Sequence, residues 1–148
     1  MIRENIEKIR ENISAACEKY SRSSSDVTLI AVSKTMPVET LKEAYDCGIR
    51  DFGENKVQEL VSKYEQLPDD IRWHMLGHLQ TNKTKEILRY EVSCVESVDR
   101  IDLAQKLHNR LASEGKELDI FIQVNTSNEE SKFGADPSEV LNLVKQVA

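Results

Sequence analysis

The chain has 148 residues, 39% of them hydrophobic and 31% charged, with a net charge of −6 and a pI near 5.2. This is enough for one domain with its own core, and the composition is that of a folded soluble protein. The acidic balance argues against a general nucleic-acid-binding surface but leaves room for a small anionic ligand, and no apolar run nears the ~20 residues that a membrane-spanning helix needs.

In chain order, Ile2, Ile6, Ile9, Ile13, Ala16, Cys17 and Tyr20 recur at helical spacing with charges between them, which predicts a leading amphipathic helix. Ser21 to Ser25 is a polar break. Val27 to Val32 reads as a strand, and Pro37 suits the first turn of a helix whose inner face is Val38, Leu41, Ala44 and Tyr45, closed by Gly48. A short strand at Asp51 to Gly53 precedes a helix carrying Val57, Leu60, Val61 and Tyr64. Ile71 to Leu76 is the third strand and Thr81 to Tyr90 the helix after it. Val92 to Glu96 is the fourth strand. Ser97 or Asp99 can cap the next helix, which carries Ile101, Ala104, Leu107 and Leu111 and closes at Gly115. Leu118 to Val124 is the fifth strand, and Asp136-Pro137-Ser138-Glu139 has the form of a capped start for a last helix through Val140, Leu141, Val144 and Val147.

Strands and helices thus alternate, with strand starts roughly 20–26 residues apart, the spacing of βα units and of a parallel sheet covered by helices. Residues 1–148 read as one domain. Pattern alone leaves two architectures: a doubly wound open sheet, or part of a (β/α)₈ barrel, which usually takes about 250 residues. Cys17, Cys47 and Cys94 form no CxxC pair, so reduced thiols in a cytoplasmic protein are expected rather than a disulfide framework or a zinc site.

Parallel βα proteins carry their sites at the C-terminal ends of their strands. Those ends are predicted at Ser33-Lys34, Glu54-Asn55, Gly77-His78, Glu96-Ser97 and Asn125. Lys34 follows the apolar run LIAV and is either a solvated strand tip or an amine kept for chemistry; burial would favour its neutral, nucleophilic form. His74 and His78 lie on a strand and its following loop with no third ligand in view, so no metal site is predicted. No GxGxxG, Walker loop or nucleophile elbow is present.

Four stretches in order, AVSKTMP, FGENKVQEL, WHMLGHLQTNK and VNTSNEESKFG, resemble the pyridoxal phosphate homeostasis protein family, which is similar to the N-terminal barrel domain of alanine racemases. The resemblance implies a parallel barrel of the TIM and alanine-racemase type, incomplete here as a leading helix and about five βα units. It implies pyridoxal 5'-phosphate bound as a Schiff base on Lys34, with Asn55 and Asn82 near it. The implied role is non-catalytic, in cofactor (vitamin B6) and amino-acid homeostasis; the alternatives are a racemase-like enzyme, or a barrel fragment that binds no cofactor. Family members continue through three more βα units with the phosphate-holding motifs. The chain is therefore expected to be a fragment with weakened cofactor binding, open to self-association through exposed strand edges. The cofactor is the expected partner, with neither nucleic acid nor membrane.

Overall fold

A computed structural model describes residues 1–148. Five parallel strands lie side by side in chain order, β1 (Ala31–Val32), β2 (Asp51–Glu54), β3 (Arg72–Met75), β4 (Val92–Val98) and β5 (Asp119–Ile122). Helix α1 (Ile2–Lys19) leads, α2 (Val38–Asp46), α3 (Val57–Tyr64), α4 (Thr84–Ile87) and α5 (Ile101–Glu114) connect successive strands, and α6 (Val140–Val147) follows β5. Right-handed crossovers between strands in sequential order place the connecting helices α2 to α5 on the same face of the sheet. This is the barrel-type order, and the other face is what a barrel would enclose. The sheet does not close: β1 and β5 each pair on one side only.

The core lies between sheet and helices. Phe52 and Trp73 meet at 5.9 Å between ring centroids, and Met75, Leu60, Leu79, Ile87, Val95 and Leu103 are fully buried around them. Burying each large apolar side chain contributes roughly 1.5–3 kcal/mol. Two irregularities in the pairing of β4 bring Val92, Val95 and Val98 into this core at a spacing of three, where regular alternation would alternate faces. Helix α5 ends as predicted at Gly115, in the left-handed conformation (φ +64°) that releases the chain toward β5.

Several expectations are corrected. The first strand is two residues long, because β1 is the sheet edge and Val27–Ile30 runs without a strand partner. Pro37 stands one position before the first turn of α2, as its N-cap. Thr81–Tyr90 is a 3₁₀ turn (Thr81–Lys83) followed by the single turn of α4. Neither Ser97 nor Asp99 caps α5: Ser97 is buried within β4, and Asp99 accepts from the Gly134 amide at 3.1 Å. Asp136 organises the turn ahead of α6 by accepting from the Ser138 amide and hydroxyl, and the helix proper starts later, at Val140.

Candidate functional site

The predicted site residues fall at the C-terminal end of the sheet. Lys34 lies just beyond β1 on a turn that reverses the chain into α2. Its side chain is exposed and makes no hydrogen bond within the chain, so burial does not favour its neutral form here. The open side of the sheet leaves it in solvent. The residues on either side of it are tightly held instead.

Before it, Ser33 is buried and donates its hydroxyl to Glu54 Oε1 at 2.7 Å. After it, Thr35 adopts φ +63°, a conformation that costs a β-branched residue on the order of 1–3 kcal/mol unless its surroundings impose it. Its amide donates to Glu59 Oε2 at 2.9 Å. The two anchors are joined by Lys63, one turn beyond Glu59 on α3. The Lys63 amine is buried and donates to the Ser33 carbonyl (2.7 Å), Glu54 Oε1 (2.6 Å) and Glu59 Oε2 (3.1 Å). Glu54 is fully buried and its second oxygen, Oε2, has no donor. The Thr35 amide holds the Glu59 carboxyl below its ordinary range; partial burial opposes this and Lys63 adds to it.

The following loops interlock above the same end. Asn55 follows β2, and Gly77, after β3, lies so close that a Cβ there would meet the Asn55 carbonyl oxygen at 2.1 Å. His78 stacks on Phe133 with ring centroids 3.9 Å apart, which ties the loop after β3 to the loop after β5. Asn125 spends its amide internally, donating to the Glu129 carbonyl at 2.9 Å. Asn82 is exposed on the 3₁₀ turn, and neither Asn55 nor Asn82 engages its side chain within the chain. Lys34, Asn55 and Asn82 thus sit on the loops after β1, β2 and β3, with unpartnered polar heads.

A second polar group occupies the face opposite the helices. Arg72 clasps Asp51 with two hydrogen bonds (3.0 and 2.6 Å), and His74 lies between Asp51 (2.9 Å) and Glu96 (2.7 Å). Burial pushes the Asp51 carboxyl up, but hydrogen bonds from Arg72 and His74 outweigh this and hold it below its ordinary value. Cys94 is buried beside them, its thiol pushed up to about 11 by burial and by the charges of Glu96 and Asp119. The third neighbour that His74 lacked in the sequence is therefore present: ligand atoms of His74, Cys94 and Glu96 lie within 4.8 Å of one another, with His74 hydrogen-bonded to Glu96.

Sequence reasoning missed Glu59 and Lys63. Their signal was the i, i+4 acid–base pair on the inner side of a helix that directly follows the Glu54-Asn55 strand end.

Residues 5–148 match the family model for the alanine racemase N-terminal domain. The chain is 39% identical over 141 residues to the pyridoxal phosphate homeostasis protein of Aquifex aeolicus, covering 95% of this chain and 61% of that protein. It is 48% identical over 134 residues to the pyridoxal phosphate homeostasis protein of Schizosaccharomyces pombe, covering 87% and 55%. The structure of PipY from Synechococcus elongatus with PLP bound superposes with a TM-score of 0.81 at 33% identity, over 99% of this chain and 64% of that one. The chain spans a little over half the length of the relatives it matches.

Proposed function

The chain belongs to the alanine racemase N-terminal domain family, and on that premise we propose that it binds pyridoxal 5'-phosphate and serves in the homeostasis of that cofactor and of amino acids. In this reading Lys34 holds the cofactor as a Schiff base, and Asn55 and Asn82 contribute polar contacts beside it. One observation carries it: the Lys34 amine stands free at a strand end while the chain on both sides of it is held by side-chain hydrogen bonds, buried at Ser33 and exposed at Thr35. The names of the relatives and the PLP-bound neighbour support the choice of ligand.

The donor set fits the group. When bound, it supplies an aldehyde carbon that a lysine amine can hold covalently. Lys34 offers that amine with no internal partner to displace, and the Asn55 and Asn82 amides have hydrogen-bonding capacity to spare. The relatives extend beyond the matched stretch, and we assign the phosphate grip to segments outside these five units. Within these five units the hold on the cofactor runs chiefly through Lys34.

We read the role as non-catalytic. Racemisation needs acid and base groups on both faces of the cofactor. His78 has a ring face covered by Phe133, and His74 is engaged by two carboxylates. The relatives carry the name of homeostasis proteins rather than racemases. Three free thiols suit a cytoplasmic setting, and the open edges at β1 and β5 offer a route to pairing between copies. The test is a spectral titration of the chain with pyridoxal phosphate. Saturable visible absorbance that Lys34→Ala abolishes supports the reading; identical titrations of both proteins sink it.

A further inference from the structure

The strand-end turn is held by more machinery than a surface turn needs. Besides the backbone bonds from the Ser33 amide to the Gly53 carbonyl (2.9 Å) and from the Met36 amide to the Ser33 carbonyl (3.1 Å), two side-chain bonds fix Ser33, one to its hydroxyl and one to its carbonyl, and a third fixes the Thr35 amide. All three come from Glu54, Lys63 and Glu59, and none touches the Lys34 side chain between them. The same three residues form one connected unit, because the Lys63 amine bonds both carboxylates.

A buried ion pair is a poor way to gain stability alone, since apolar residues of similar size commonly do as well or better. What it supplies here is direction: each charged hydrogen bond has one acceptable geometry, and together they brace, at the Ser33 carbonyl and the Thr35 amide, a turn that the Met36 amide closes onto the Ser33 carbonyl and in which Thr35 is left-handed. With Thr35 free to relax, the peptide beyond Lys34 would turn and carry the amine with it. An apolar plug under the turn would fill the same volume without fixing the backbone.

We infer that the Glu54–Lys63–Glu59 network is a positioning device: it clamps the Ser33–Thr35 turn and thereby aims the Lys34 amine at a carbonyl ligand above the strand ends. The three residues act through the backbone and touch no ligand themselves. The inference rests on the reading of Lys34 as the cofactor-bearing residue, and its test separates the two.

The test uses the full chain, Glu59→Ala, Glu59→Gln and the double variant Glu54→Gln/Lys63→Met. The double variant removes both buried charges at nearly constant volume, so it keeps the fold where a single removal could not. Amide hydrogen exchange at Thr35 is read without ligand. The share of borohydride-trapped pyridoxyl label on Lys34, relative to exposed Lys42 and Lys106, is then read by peptide mass. Glu59→Ala and the double variant should speed Thr35 exchange at least about tenfold and lower the Lys34 share severalfold, with label on Lys42 and Lys106 and the far-UV circular dichroism unchanged. Glu59→Gln, which keeps an acceptor for the Thr35 amide, should restore most of both. A merely structural role would not show that rescue. Unchanged Thr35 exchange in both Glu59→Ala and the double variant overturns the inference, as does faster exchange with an undiminished Lys34 share. Should Glu59→Ala free Thr35 while the unsubstituted chain labels Lys34 no more than Lys42 and Lys106, the clamp is upheld and the cofactor assignment falls.

Discussion

Replacing Gly77 with alanine should be among the most costly single-methyl additions in this chain. The added Cβ would lie 2.1 Å from the carbonyl oxygen of Asn55 and 2.7 Å from its C and Cα atoms. Ordinary contact is about 3.5–4.0 Å, so the two strands' ends must separate by more than an ångström. All three opposing atoms are backbone, and the adjacent residues are bonded to each other, Leu76 N–H to the Glu54 carbonyl at 2.8 Å. Overpacking of about 1–3 kcal/mol and loss of that hydrogen bond, about 0.5–1.5 kcal/mol, give a cost of about 2–4 kcal/mol. Two other glycines serve as standards. At Gly53 the new methyl meets the Leu76 side chain at 2.3 Å, which can swing away, so the cost should be smaller, about 1–2 kcal/mol. At Gly115 nothing lies within 4 Å, and only the φ of +64° is strained, about 1–2 kcal/mol. Urea denaturation with a check on constant m-values measures all three. A Gly77→Ala cost under about 1 kcal/mol, or below that of Gly115→Ala, refutes the reasoning.

Other consequences are open to measurement. Lys63→Met leaves the Glu54 carboxylate buried without its cation and should cost about 3–5 kcal/mol in urea denaturation, most of which returns when Glu54→Gln is added; equal costs for the single and double variants would contradict the network. Because the folded-state pKa of Asp51 lies below its ordinary 3.8, its contribution is present at neutral pH and is lost as pH falls below that value. The stability gap between the unsubstituted chain and Asp51→Asn should therefore narrow below about pH 4, and a gap that widens in acid would be wrong in sign. With its thiol raised to about 11, Cys94 should alkylate at pH 8 more than about a hundredfold slower than a free cysteine, gaining reactivity only in strong alkali. Modification at the ordinary rate would place Cys94 at the surface.

The order of elements was legible because the longer helices keep a periodic apolar face, as in Leu41, Ala44 and Tyr45, and polar residues such as Ser33-Lys34 and Glu54-Asn55 mark where an apolar strand gives way to a loop. The order β1 to β5, the feature separating a barrel from a doubly wound sheet, did not follow from periodicity; the four motifs that resemble a known family supplied it. Strand lengths were misjudged at β1, where an apolar run extends past its only pairing partner, and at β4, where bulges let Val98 join the core beyond the regular alternation. Lys34 was picked out by its place after an apolar run, which left a solvated tip and an amine kept for chemistry both open; the structure shows the side chain exposed. Lys63 reads as an ordinary surface residue of a charged helix until the fold brings α3 beneath the first strand end and joins it to Glu54, nine residues earlier. Long-range polar pairs of this kind leave only a weak local trace, here the Glu59–Lys63 spacing.

The most direct measurement is the location of the label after the chain is mixed with pyridoxal phosphate, reduced with borohydride and mapped by peptide mass, with Lys34→Ala alongside. The account predicts pyridoxyl mass concentrated on Lys34, lost in Lys34→Ala without transfer to another lysine. Label spread over exposed lysines and unchanged by Lys34→Ala would contradict it.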